Sequence, residues 1–397
     1  MTQPADTHLL PTYTPADFVA VRGAGSTLWD QDGRDYIDLG GGIAVTALGH
    51  SHPELVEVVR RQSDRLWHLS NWLPNEFAPR LAGLLCARTF AEQVFFSNSG
   101  AEANEAALKM ARRHHHDRGD AERVQIIAFE GAFHGRTLLT VTAGGKYTEG
   151  FGPLPGGIAH VPFNDAPALE RQLRAAPTAA VIIEPVLGEG GVVPVDPGFI
   201  AEVRRLCDAH GALLIFDEVQ SGMGRSGALF MYQQLGVEPD ILTSAKALGS
   251  GFPIGATLTR AAIGDCMQPG THGSTFGGNP LACAVALRTL ELLDDEVLAG
   301  VEPRAQRITE FLTELGGNRR LFSQVRRTGL LIGAELGPDW AGRAMDLVRL
   351  GWRHGLLTLP AGADVLRFAP ALNISDDELG QGLDRLSQVV GEFVQGG

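Results

Sequence analysis

Two lone charges, Asp217 and Lys246, each end an apolar run within the stretch from Ala212 to Gly251. The runs ALLIF and DILTSA read as short strands buried on both faces of a parallel sheet, and ligands of such sheets sit beyond the carboxyl ends of the strands. Both charges therefore face one crevice. An amine and a carboxylate so disposed suit pyridoxal phosphate. The amine joins the cofactor's aldehyde, and the carboxylate keeps the pyridine nitrogen protonated so that the ring withdraws electrons. A lysine after a strand is ordinarily a solvated surface charge, so the pair means little without the elements around it.

Two other chemistries are weaker fits to the same stretch. ALLIFDE matches the strand and acid pair of a nucleotide triphosphatase, but the sequence holds no Gly-x4-Gly-Lys-Ser/Thr loop. Gly222, Gly224 and Gly227 spell GxGxxG. A dinucleotide fingerprint should follow its strand directly, however, and here the polar Asp217 to Ser221 intervenes.

The elements that must position these charges follow in order. Residues 1 to about 20 read as an extended arm, and GSTLWDQDGRDYIDLGGG as a hairpin turning at Asp32 and Gly33. A glycine-rich entry loop leads to helices predicted over 53–69 and 76–89 from the spacing of Leu, Val and Trp. VFFSNSG is a strand running into a long helix, with Ser99 and Glu102 as a capping box. The unpaired amides and dipole of that helix start form a ready phosphate site, and Gly100 permits close approach. His114, His115 and His116 at its far end point to different faces, unlike a metal site, and read as solvated.

VQIIAF is the next strand, followed by EGAFHGRTLLT; AAVIIEPVLGEGGV repeats the strand-then-acid layout at Glu184 and adds Glu189 in its glycine loop. A helix over 197–210 leads back to the central stretch. Downstream, Asn279 caps a helix with Pro280 at its first position. From about Thr289 the pattern becomes helix, strand GLLIGAEL, a helix over 340–354, short strands and a last helix. In VLRFAP, Arg367 interrupts an apolar strand and needs an acidic partner.

With 397 residues, 44% hydrophobic and 20% charged, the chain can bury a large core in two or three domains. A formal net charge of -13 argues against nucleic acid or an anionic membrane as partner, so particular arginines must meet any anionic substrate. Cys86, Cys207, Cys266 and Cys283 form no CxxC pair and read as buried free thiols in apolar helices rather than a metal site. The first residues lack a basic segment followed by an apolar core, and no apolar run approaches membrane-spanning length. The expected compartment is the cytoplasm.

DEVQSGMGR, SAKALGSGFP, SNSGAEANEAALKMAR, AFHGR and HGSTFGGNPLA together resemble the class-III pyridoxal-phosphate aminotransferases, in the subgroup typified by acetylornithine aminotransferase. The resemblance runs from about Phe18 to Phe393. It implies a fold type I α/β architecture: a large domain (51–288) with a mostly parallel central sheet flanked by helices, and a small α+β domain from 1–50 and 289–397. It implies pyridoxal phosphate linked to Lys246, with Asp217 at the ring nitrogen and Phe133 and Val219 on opposite ring faces. His134 would lie beside the ring, Gln220 would bond its hydroxyl, and Glu218 would stand behind them. Ser99 and the amides of Gly100 and Ala101 would hold the phosphate; many relatives carry threonine at the position of Ala101, so a hydroxyl contact is missing here. In a homodimer with shared sites, Thr275 would reach the neighbouring subunit's phosphate and Ser274 the substrate. Arg136 would take one substrate carboxylate, and Arg367 the second or, when there is none, Glu189. Relatives that act on free ornithine carry a tyrosine in the entry loop, and none lies between Gly40 and Gly49. The expected reaction is transfer of an amino group from N2-acetylornithine to 2-oxoglutarate in arginine biosynthesis, with N-succinyl-diaminopimelate as a second donor. The alternatives are 4-aminobutyrate, succinylornithine or a carrier-linked lysine precursor.

Overall fold

The computed structural model describes residues 8–396. Residues 8–19 form no helix or strand; the start of the expected arm, residues 1–7, lies outside the described residues.

A seven-stranded sheet forms the centre, in the spatial order Gln93–Ser97, Gly255–Thr259, Ile241–Ser244, Leu213–Asp217, Thr178–Ile183, Gln125–Phe129, Ile158–Val161. Only Gly255–Thr259 runs against its neighbours, so the sheet is mostly parallel, as expected of fold type I. Its strands are near-continuous apolar runs because both faces are covered. Val181, Ile183, Leu214 and Phe216 join one core together with Phe199 and Val203 of the helix Pro197–His210. The alternate residues Ala180, Ile182, Leu213 and Ile215 join another with Leu108 and Met110 of the helix Gly100–Asp117. The period of two along each strand thus sends neighbouring side chains to opposite layers.

The strands of both chain ends pack together beside this sheet. Ala20–Ala24, Thr27–Asp30 and Asp35–Asp38 form a meander, and Leu356–Leu357 from the far end adds to it in parallel. A second four-stranded sheet, Phe322–Thr328, Leu331–Leu336, Val365–Phe368 and Leu359–Ala361, carries Arg367. The amides of Ala369 and Leu372 donate to the carbonyls of Leu39 and Ala47, each at 2.7 Å.

Three expectations need correction. The first helix stops at Ser63 instead of 69: the Gln62 carbonyl accepts the amides of Arg65 (3.0 Å) and Leu66 (3.1 Å), and the Gln62 side chain donates to the Leu66 carbonyl (2.8 Å); farther on, Asn71 donates to the carbonyls of Ser274 (3.0 Å) and Gly277 (3.1 Å). The helix expected over 340–354 spans Ala344–Arg353, with a separate 3-10 turn over Pro338–Trp340. His114 and His115 are buried rather than solvated, and only His116 is exposed. His115 Nε2 meets the Ala179 carbonyl at 3.0 Å. Burial, with Arg118 alongside, pushes the His114 imidazole down to about 4, so it is neutral and adds no charge at the helix end.

Glu378 fastens the two chain ends. It sits in the capping box of the last helix with Ser375, and its carboxylate also accepts the Ser26 amide (2.8 Å) and the Thr27 hydroxyl (3.1 Å). Truncation strands those donors. Glu378→Ala should cost about 1–3 kcal/mol and lower the melting temperature by roughly 2–5 °C; differential scanning calorimetry checks this, and an unchanged transition removes Glu378 from the tie.

Candidate active site

The parallel strands end at one edge, and the loops leaving that edge enclose a cleft of about 430 Å³. Ser99, Gly100, Ala101, Phe133, His134, Arg136, Asp217, Val219, Gln220 and Lys246 all line it. These residues come from positions more than a hundred apart in the chain; the sheet order brings them together.

At the edge of Gln93–Ser97 the chain turns directly into the long helix, and the Ser99 side chain accepts the Glu102 amide at 3.2 Å. Glu102 does not take the Ser99 amide that a closed box requires; its Oε2 accepts the Ser99 hydroxyl at 3.2 Å and, one residue further back, the Asn98 amide at 2.7 Å. The amides of Gly100 and Ala101 fall in the first turn, where no intrahelical acceptor exists. A Cβ at Gly100 would lie 2.8 Å from Val219 Cγ1, so the glycine admits the Val219 side chain against the helix start.

Asp217 ends its strand almost fully buried, and three donors surround its carboxylate. His134 Nδ1 lies 2.7 Å from Oδ2, Asn104 Nδ2 donates to the same oxygen at 2.7 Å, and the Val219 amide donates to Oδ1 at 3.1 Å. Asn104 is itself oriented, donating to the His134 carbonyl (2.9 Å) and accepting from Thr243 Oγ1 (2.7 Å). Burial opposes a charge on His134, but the bond to Asp217 and the charges of Asp217 and Glu184 outweigh it and raise the imidazole's pKa. His134 Nε2 is buried without a partner.

Lys246 opens a 3-10 turn just past the neighbouring strand, with a left-handed φ of +46°. A non-glycine residue held there is strained, and such strain collects at functional sites. Its amine makes no ion pair among the described residues. Burial, reinforced by Arg367, pushes its pKa below the ordinary lysine value, against the pull of Glu189, Glu184 and Asp217.

Arg367 arrives from the other sheet, and its Nη1 donates to Glu189 Oε1 (2.6 Å), Gln220 Oε1 (3.1 Å) and the Gly188 carbonyl (3.2 Å). The acid partner expected from sequence is therefore in place. Arg136 has no acid beside it among the described residues; its guanidinium lies over Tyr147 and, farther off, Phe133.

Five expected site residues are not among those lining the cleft: Glu189 and Arg367, which are joined to it through Gln220, and Glu218, Ser274 and Thr275. The Glu218 carboxylate turns away and accepts the amides of Met231 and Tyr232 (2.8 Å for Tyr232) together with the Ser221 hydroxyl (3.1 Å). Asp217 ends the strand on the cleft side, and the next side chain, Glu218, is turned to the far side, where those donors claim it. Ser274 accepts from Asn98 Nδ2 (3.1 Å) and the Gly277 amide (3.0 Å), organising the loop before Asn279. Thr275 is exposed. Two residues in the site had no role assigned from sequence. Asn104 is a lone amide on the buried face of an alanine-rich helix, a signal that was there to be read. Glu184 lines the cleft and accepts the Phe133 amide at 2.8 Å.

The lining fits pyridoxal phosphate: free first-turn amides for an anion, a buried carboxylate fixed by its own donors, apolar Phe133 and Val219, and an unpaired amine. On a mostly parallel sheet this constellation is that of the fold type I pyridoxal-phosphate-dependent transferases. The chain belongs to the aminotransferase class-III family, whose model matches residues 11–390. It is 54% identical over 392 residues to the acetylornithine/succinyldiaminopimelate aminotransferase of Photorhabdus laumondii, covering 98% of this chain and 97% of that protein. It is 52% identical over 390 residues to the succinylornithine transaminase of the same organism, with the same coverage of 98% and 97%. It superposes on the crystal structure of N-acetylornithine aminotransferase from Stenotrophomonas maltophilia with a TM-score of 0.87 at 42% identity, covering 96% of this chain and 98% of that one.

Burial pushes the Glu184 carboxyl up to about 7 from an ordinary value of 4.5. A folded pKa above the unfolded one means that its contribution to stability is complete below about 4.5 and is lost as pH rises through about 7. Glu218, also raised to about 7 by burial, acts in the same sense. In Glu184→Gln the loss of stability between pH 5 and pH 8 should therefore shrink, by on the order of 1–3 kcal/mol, as measured by urea unfolding at the two pH values. An unaltered difference would show that Glu184 does not titrate in this window.

Proposed function

We propose that this protein transfers the δ-amino group of N2-acetylornithine to 2-oxoglutarate, giving N-acetyl-L-glutamate 5-semialdehyde and L-glutamate, a step of arginine biosynthesis. The observation that carries this reading is the 2.6 Å pair between Arg367 and Glu189, set against an Arg136 that has no acid partner among the described residues. Donor and acceptor must use one site although only 2-oxoglutarate brings a second carboxylate. Arg136 takes the carboxylate both share. With acetylornithine, Glu189 keeps Arg367 neutralised; with 2-oxoglutarate, the substrate's other carboxylate takes Glu189's place.

Bound pyridoxal phosphate supplies an aldehyde that condenses with amines and a ring that stabilises charge at the substrate carbon. The protein's own residues do the rest. Ser99 and the amides of Gly100 and Ala101 would hold the phosphate, and Phe133 and Val219 would pack against the ring. Asp217 would keep a proton at the ring nitrogen, while Gln220, its Oε1 engaged by Arg367, would have its amide nitrogen left for the ring hydroxyl. Lys246 Nζ is the amine that would hold the cofactor's aldehyde, and when free it would serve as the base for the proton at the substrate carbon. Burial suits it to that second role, since a depressed amine pKa leaves more of the neutral base at working pH.

Thr275 and Phe276 are exposed beside the cleft-forming loop, with Trp67, Trp72 and Leu73 also exposed on the segment tied to it. This supports a homodimer in which Thr275 contacts the neighbouring subunit's cofactor and Ser274 approaches its substrate. The cytoplasm is the compartment we assign, supported by four free cysteines, of which Cys207 and Cys283 are buried with thiols pushed up to about 12. No described helix is long and apolar enough to cross a membrane. The large domain comprises 51–288 and the small domain 1–50 with 289–397; the helix Pro280–Leu292 runs across that border.

Succinylornithine is the second reading, supported by the 52% identity to a transaminase of that name, and N-succinyl-diaminopimelate a third, after the name of the 54% identical relative. Steady-state turnover of acetylornithine, succinylornithine, N-succinyl-diaminopimelate, ornithine and 4-aminobutyrate with 2-oxoglutarate decides among them. Acetylornithine should lead, with kcat/KM at least about tenfold above free ornithine and 4-aminobutyrate. A preference for any of the other donors over acetylornithine sinks the reading. Lys246→Ala should lose at least about a thousandfold in kcat. Glu189→Gln should raise KM for acetylornithine about tenfold while leaving KM for 2-oxoglutarate within about twofold.

A further inference from the structure

Arg136 reaches the cleft with no ion pair or side-chain hydrogen bond to hold it among the described residues. A long, unpaired arginine would sample many rotamers, and each substrate would have to freeze it again. Two aromatic rings take the place of an acid. The guanidinium carbon lies 3.8 Å from the centroid of Tyr147 and 5.6 Å from that of Phe133. The rings stand at 79° to each other with centroids 6.4 Å apart, so the cation occupies the corner between them. Its five N–H groups lie in the guanidinium plane, and with the carbon over the Tyr147 ring and no hydrogen bond from that side chain among the described residues, they are free for a carboxylate.

Tyr147 itself is an odd residue for its place. It follows the left-handed Gly145 that ends the helix Leu138–Gly144, and it adopts a left-handed φ of +59° although it carries a bulky side chain. It is 51% exposed, so burial of its ring in a core does not account for that conformation. Phe133, by contrast, is anchored through its amide to Glu184.

We propose that Tyr147 is a positioning residue for substrate recognition: its ring holds the Arg136 guanidinium face-on, so that the edge is presented to the carboxylate that both amino donor and oxo-acid carry. This deepens the proposed function and rests on the carboxylate role given there to Arg136. Tyr147 acts through Arg136 and touches no reacting atom. It sets affinity for carboxylates, and leaves the proton transfers at Lys246 alone.

The test uses the holoenzyme and two variants. Tyr147→Asn removes the ring and tolerates the left-handed backbone, whereas Tyr147→Phe keeps the ring. Glutarate, a dicarboxylate with no oxo group to react, reports binding by calorimetry without turnover. In Tyr147→Asn we expect the glutarate dissociation constant, and KM for both donor and 2-oxoglutarate, to rise between about 3- and 30-fold, with kcat within about twofold. Tyr147→Phe should stay within about twofold of the parent on every constant. In an Arg136→Ala background, Tyr147→Asn should weaken glutarate binding by less than about twofold, because the group it acts through is gone. Parental constants in Tyr147→Asn, an equal loss in Tyr147→Phe, a further full-sized loss in the Arg136→Ala background, or no glutarate binding by the parent would each overturn the proposal. Glutarate binding that follows the expected pattern alongside poor turnover of acetylornithine would instead uphold Tyr147 and reject the donor assignment.

Discussion

Asp217 carries a carboxylate at 4% exposure, and a charge that deep persists only where donors replace the water it has lost. Here the donors come from three separate elements: the loop of His134, the helix of Asn104 and the turn at Val219. Satisfying one anion therefore locks the helix start, the aromatic loop and the central strand into a single arrangement. Asn104 extends the lock to the next strand through Thr243, which pairs beside Asp217 in the sheet. Lys246 lies three residues beyond Thr243, so the amine's position follows from the same set of contacts. A cofactor arriving in this cleft meets groups already in place and need not organise them.

The second electrostatic element joins the two layers of the chain. Arg367 stands on a strand of the outer sheet, yet its partners Glu189 and Gln220 leave the edge of the central one. A buried ion pair adds little net stability, because desolvation offsets most of the attraction. Under the proposed function its value lies in exchange. A carboxylate that pairs with Arg367 can be replaced by another of the same charge at small net cost, whereas removing it outright would leave an uncompensated buried cation.

Much of this was legible in the residues. Strands ending in Asp217 and just before Lys246, the Ser99 and Asn279 caps and the strand carrying Arg367 all follow from local periodicity and cap chemistry, which act over a few residues. The misreadings share one cause. His114 and His115 look like a polar helix end until the carbonyl of Ala179 and the side chain of Arg118 are seen against them. Glu218 sits next to Asp217 in sequence but is claimed by amides thirteen and fourteen residues on, at Met231 and Tyr232. Tyr147 lies in a stretch with no periodic signal, and its ring matters only because the chain folds back over Arg136.

By itself the sequence determined the kinds of element, the chemistry at their ends and the family, since apolar period, caps and motif spacing are properties of neighbouring residues. The tertiary structure alone decided which acid faces the cleft, which amide holds Asp217, and which rings cradle Arg136. Those outcomes depend on sheet order and on the direction each side chain takes beyond a strand end. Such long-range placements arise from packing the whole core at once, and no window of sequence contains them.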